Sequence, residues 1–356
     1  MNELINIIPN PDPLPVASGW FHFLNYLTYY LHLISVGIMF STAVSMTFGY
    51  FKAKSDPKWE AFAKQMSKIL PFSIAFAVNL GVAPLLFIQV LYGNFFYAAS
   101  ILIGTVWILL IVFLILGYYG SYWLVFKKEK KNGSRKYMSI FISLVLAWTG
   151  FILVNINTLM MTPGRWKSYF SHMGGTFLNI GEPTLFSRYI FYLFFLMAIG
   201  GLFIAGFYKI KPEKSESKAG TAFGSTLSGY SSFLALPSFI IFMRTLPVNI
   251  RDTFFGGDLL WTGICVVFLL CMIATGYLSL QGKVTAASII LILNLIIFVV
   301  LRGHVRYLYL ERFNEKISVM GHNTQYGVMV LFFVTLAAGL GLVFWILRKV
   351  YKEVKV

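Results

Sequence analysis

Charge is what this sequence lacks most: only 12% of its residues are Asp, Glu, Lys or Arg, about half the share found in soluble domains. Cysteine is nearly absent too. Cys265 and Cys271 are the only two, six residues apart and in no CxxCH motif, which excludes a disulfide framework and covalent haem attachment. No Asp or Glu falls deep in any long apolar run, so a carboxylate relay of the kind pumps and proton-coupled transporters use has no visible members. The opening stretch MNELINIIPNPDPLPVASGW has no positive region and no small-residue cleavage site before a hydrophobic core, and reads as a tail rather than a signal peptide.

What is present is apolar sequence, 58% hydrophobic and 18% aromatic. Several runs exceed the roughly 18 apolar residues that cross a bilayer as a helix, and they are continuous rather than alternating, which excludes a membrane barrel. The fold class expected is an all-α polytopic membrane protein with about nine spans, near 20–50, 69–92, 97–126, 137–160, 186–209, 229–248, 257–280, 284–302 and 325–348. A tail (1–19), a first helical bundle (20–209), a flexible cytoplasmic linker (210–228), a second bundle (229–350) and a short tail (351–356) are the expected divisions. The linker reading rests on the low-complexity KPEKSESKAGTAFGSTLSGYSS.

The formal charge of +16 sits mostly in alternate loops such as KKEKKNGSRK. Under the positive-inside rule this places the N-terminus outside and the C-terminus in the cytoplasm, and attributes the basicity to topology and anionic lipid with no nucleic acid as partner. All five histidines, His22, His32, His172, His304 and His322, then fall in the outer half. Basic residues gather beside them: LRGHVRYLYLER carries Arg302, His304, Arg306 and Arg312. An outer-face site built from Arg302, His304, Arg306, His322 and His172 is expected.

His32 lies about twelve residues into its span, roughly 18 Å deep at 1.5 Å per residue. At that depth an imidazole is either a functional ligand, for haem iron above all, or a neutral interhelical hydrogen bond; both readings stand. Asn79, Gln89, Asn155, Asn157 and Asn294 read as interhelical bonds, and Arg244 can snorkel. The small-residue run TLAAGLGLVF in span nine reads as a helix contact surface, within this chain or for another subunit.

Four segments resemble one family. LTYYLH sets Thr28 four residues before His32; FAVNLGVAPLLFIQVLYGNFF supplies Gly81, Val82, Gln89 and Gly93; NTLMMTP supplies Asn157, Met160 and Pro163; and SRYIFYLFFLMAIGGLF supplies Arg188, Tyr189, Gly200 and Phe203. In this spacing the chain resembles subunit I of the cytochrome bd quinol oxidases over about residues 20–205, and beyond that by span number. The resemblance implies a bd-like bundle in a prokaryotic inner membrane, with His32 at the place of a histidine that ligates a high-spin haem b.

The departures carry as much information. Phe191 stands where the family has an axial haem ligand. The methionine completing that haem has no counterpart in DLLWTGIC, span eight offers Asn294 near a family carboxylate, and the Gly-Arg-Gln-Pro-Trp signature is replaced by Arg302-Gly303-His304-Val305-Arg306. The long quinol loop is reduced to NIRDTFFGGD. These losses count against oxygen reduction.

The expected function is therefore a membrane-integral subunit of a respiratory electron-transfer complex, binding haem b or a quinol through His32, His22 and Arg188, and exchanging electrons with extracytoplasmic cytochrome or iron–sulfur partners. A cofactor-free bd-like anchor is the alternative, and a small-solute transporter a third.

Overall fold

The computed structural model describes residues 5–127, 133–171, 173–210, 215–321 and 324–354; His172 and His322 lie outside them. Among the described residues, nine helices are long and apolar enough to cross a membrane: α1 (Ser18–Lys52), α2 (Lys58–Leu102), α3 (Gly104–Phe126), α4 (Gly133–Met161), α5 (Thr184–Lys209), α6 (Ser215–Arg244), α7 (Leu259–Leu280), α8 (Val284–Leu310) and α9 (Tyr326–Val354). The expected fold class holds.

Two boundaries differ from the sequence reading. Spans two and three were expected at 69–92 and 97–126, yet α2 runs for 45 residues with a kink at Tyr92 (φ −137°, ψ 34°). At 1.5 Å per residue α2 far exceeds the roughly 30 Å apolar layer, so part of it extends past the membrane. The expected linker at 210–228 is also corrected: α6 begins at Ser215. Its small residues serve packing rather than flexibility. A Cβ on Gly201 of α5 would meet the Ser228 backbone nitrogen of α6 at 2.6 Å, and one on Gly224 would collide with the Ala205 backbone nitrogen. Only glycine permits this approach.

The same device joins α1 to α5, where a Cβ on Gly37 would lie 2.8 Å from Ile199 and one on Gly200 would strike the Gly37 carbonyl. Asn25 of α1 donates to the Pro84 carbonyl of α2 at 3.0 Å. Asn294 of α8 donates to the Phe268 carbonyl of α7 at 3.2 Å, and Asn155 accepts from the Asn179 backbone N–H at 3.2 Å. Asn294 makes the interhelical bond expected of it, whereas Asn155 ties α4 to the non-helical segment before α5.

One hydrophobic core runs from Ile8 to Phe313 and draws on every helix from α1 to α8, so residues on both sides of the expected division share an interior. Helix α9 stands apart. Its most apolar stretch has none of its residues buried, and its contact with the bundle includes a ring pair between Trp20 and Phe333 at 5.5 Å.

Candidate functional site

The interior between α5, α6, α7 and α8 is filled by phenyl rings. Phe191 is 1% exposed and packs against Phe239 at 5.1 Å, Phe298 at 5.3 Å, Phe195 at 5.5 Å and Phe268 at 6.2 Å between centroids. These are tilted, edge and offset arrangements of the kind aromatic clusters favour. A macrocycle has no room at this position, and Phe191 offers no ligand atom. The residues present do not fit the haem that the family resemblance implies there.

Beside this cluster lies a cavity of about 20 Å³ lined by Asn157, Arg188, Tyr192, Arg302, Phe191, Phe298 and neighbours. Arg188 reaches it from the first turns of α5 and is 6% exposed. Its Nη1 donates to Asn157 Oδ1 at 3.4 Å, and its guanidinium lies 4.9 Å over the Phe242 ring. Arg302 comes from α8: Nε donates to the Tyr192 hydroxyl at 3.1 Å, the guanidinium lies 4.0 Å over the Tyr29 ring, and the two tyrosine hydroxyls share a hydrogen bond of 3.1 Å. Arg306, one turn further along α8 and 3% exposed, lies 5.5 Å over the Tyr92 ring.

His32 is tied to α2. Its Nδ1 is 3.0 Å from the Ala77 carbonyl, and a Cβ on Gly81 would lie 2.7 Å from its ring, so that glycine makes room for the imidazole. The bond to a carbonyl assigns the proton to Nδ1 and leaves Nε2 as an acceptor. His22 has other neighbours: its ring lies 6.4 Å from Tyr26 and 6.2 Å from Tyr92. His22 and His32 are ten residues apart on one helix, about 15 Å along its axis, and Arg188 keeps company with Asn157 and Phe242. The expected trio of His22, His32 and Arg188 therefore does not converge on one cofactor. Among the described residues, no group of three or more His, Cys, Asp or Glu side chains is gathered to hold a metal.

His304 occupies a different place. Two residues from Arg302, it projects to another side of α8 and stacks on Trp261 of α7 with centroids 3.5 Å apart and planes 7° from parallel; Phe254 closes the edge at 5.9 Å. Trp261 is fixed by the start of α7, where the Asp258 carboxylate accepts from the Leu260 and Trp261 backbone N–H groups at 2.9 and 3.2 Å. This is a helix N-cap, and the chain enters it through Gly256 at φ +106°, a left-handed conformation that favours glycine. His304 Nε2 is buried without a hydrogen-bond partner. Nearby, an apolar groove of about 300 Å³ is lined by Leu259, Leu260, Gly263, Ile264, Val267 and Ile297. Ile297 and His304 are seven residues apart and share one face of α8, and Trp261 is one turn from Ile264.

Of the expected outer-face residues, the structure joins Arg302 and Arg306 to the tyrosine side of α8 and His304 to the Trp261 side. Tyr29, Tyr192, Tyr92, Trp261 and Asp258 were not anticipated. Two had a signal: Tyr192 follows Arg188 by four residues and Tyr29 precedes His32 by three, the spacings of one helix face.

Neither a family model nor a curated protein matches this sequence. Among solved structures, the chain is similar to a chain of the bd oxidase from Geobacillus thermodenitrificans, with a TM-score of 0.71 at 10% identity, over 93% of this chain and 98% of that one. The protein thus has a nine-helix fold, counted over the described residues, that is shared with a bd oxidase chain and packed with phenyl rings at the position of Phe191.

Proposed function

We propose that this chain is a membrane-integral, quinol-binding subunit of a respiratory electron-transfer complex. The observation that carries the reading is His304, an imidazole held flat against Trp261 with a buried, unpartnered Nε2, at the end of a helix face that continues into an apolar groove. A quinol has the matching parts: an aromatic head with hydroxyl hydrogens and an apolar tail. Nε2 would accept one hydroxyl hydrogen, Trp261 and Phe254 would flank the ring, and the groove would hold the first tail units.

Oxidation of the bound quinol releases two protons and two electrons. His304 takes the two protons in turn and passes each toward the aqueous side, here assigned as the outside of a prokaryotic inner membrane. The electrons go to a cytochrome or iron–sulfur partner docked there. The unburied α9, with its TLAAGLGLVF run, and the bd-like fold support a place among other membrane subunits.

The test is binding of a short-chain quinone analogue to detergent-purified, quinone-depleted protein, followed by tryptophan fluorescence against an empty-micelle control. Saturable binding, weakened about tenfold or more in His304→Leu, is expected; partition into protein no greater than into micelles overturns the reading. The aromatic core around Phe191 favours a second reading, an anchor subunit that binds neither haem nor quinol, and that is the conclusion the negative result would leave.

A further inference from the structure

The arginines on the tyrosine side of α8 present a separate problem. Arg188 and Arg306 are at least nine-tenths buried, and each leaves Nε and Nη2 without a hydrogen-bond partner. Arg302 is close enough to both for their charges to oppose. Among the described residues no carboxylate lies within ion-pair distance of any of the three. The acidic group nearest in effect is Glu182, which acts on Arg188 at longer range and has Oε1 engaged by the Thr184 hydroxyl at 3.1 Å. Buried positive charge in an apolar bundle needs a counter-charge.

We infer that the cavity between Arg188 and Arg302 is a binding site for a monoatomic anion of chloride's size. Its volume of about 20 Å³ suits one water-sized occupant and is far too small for a quinone head. Its lining supplies what a halide requires: the side chains of Arg188, Arg302 and Tyr192, two guanidinium groups and a hydroxyl. That hydroxyl accepts from Arg302. When Tyr29 donates to it, its own hydrogen is free to point at the anion. Phe191 and Phe298 line the rest of the space. A water molecule would satisfy the hydrogen bonds but leave the charges uncompensated. This site lies on another side of α8 from His304 and does not depend on quinol binding.

The experiment is thermal unfolding of the purified full chain in detergent, in sodium chloride, sodium bromide or sodium gluconate at equal ionic strength. Chloride and bromide are expected to raise Tm saturably, by about 5 °C at a hundredfold excess over Kd, with no rise in gluconate. The rise should vanish in Arg188→Gln and persist in His304→Leu, which separates this site from the quinol reading. Equal Tm in all three salts, or an undiminished halide response in Arg188→Gln, overturns the inference. Should Arg188→Gln fail to fold, bromide-soaked crystals of the wild-type protein decide: an anomalous peak between Arg188 and Arg302 supports the site, and a cavity holding only water refutes it.

Discussion

The imidazole of His304 lies flat on the indole of Trp261, 3.5 Å between centroids and 7° between planes. The contact joins α8 to α7 and depends on the Asp258 cap for its geometry. Trp261→Leu removes the stacking surface and leaves His304 free to rotate. Stability should fall by about 1–2 kcal/mol, from the lost stacking and the smaller side chain, and quinone-analogue affinity by roughly tenfold, equivalent to about 1.4 kcal/mol. Trp261→Phe, which keeps a ring, should retain affinity within about threefold. Equal binding by Trp261→Leu and wild type would remove the tryptophan from the site.

The Nδ1 of His32 and the Ala77 carbonyl bind α1 to α2. Interhelical hydrogen bonds within membranes contribute about 0.6–2 kcal/mol, and His32→Ala should cost that amount in a detergent unfolding titration. A dithionite-reduced minus oxidised spectrum is expected to be the same in wild type and variant. A b-type haem band present in wild type and lost in His32→Ala would instead make Nε2 an iron ligand.

Much of this arrangement is legible in the sequence because charge is rare there. His32, Arg188, Arg302, His304 and Arg306 stand out against 58% hydrophobic residues, and burying them demands a partner or a purpose. Their actual partners are not legible, because Tyr29, Tyr192 and Trp261 are lost among aromatics that make up 18% of the chain. Nor does a linear pattern tell which side of α8 each basic residue takes once neighbouring helices are packed. The 215–228 segment misleads for a related reason: serine and glycine signify a linker in water, whereas Gly224 and Ser228 here permit helix contact against Gly201 and Ala205. The kink at Tyr92 falls beside Gly93, with Pro71 and Pro84 well before it, so the prolines do not mark its place.

Phe191 is enclosed by Phe195, Phe239, Phe268 and Phe298. Truncation to alanine removes a whole ring from a close-packed interior, and a loss of about 3–5 kcal/mol is expected in an unfolding titration. Phe191→His tests the same interior chemically. The cavity that this side chain lines is about 20 Å³, far too small for a haem, so the variant should show no new Soret absorption when expressed with haem in excess. A stoichiometric haem in Phe191→His would show that the cluster can open.

Gly339 sits in the TLAAGLGLVF stretch of α9, and a side chain built on it meets nothing within 4 Å. The helix had been expected to use these small residues for packing, within the chain or against another subunit, and no residue of its most apolar stretch is buried. Gly339→Leu should therefore change the stability of the isolated chain by less than about 0.5 kcal/mol. Small residues in membrane helices matter where another backbone comes close. If α9 carries the chain's contact with a second membrane subunit, the same substitution should reduce co-purification of that subunit from native membranes severalfold, while Leu331→Val, which preserves apolar character and adds no bulk, should not. Unfolding of the isolated chain together with affinity purification from membranes gives both readings. A destabilised isolated chain would mean that α9 packs on its own bundle. Unchanged recovery of the second subunit with a stable chain would move the contact to another face.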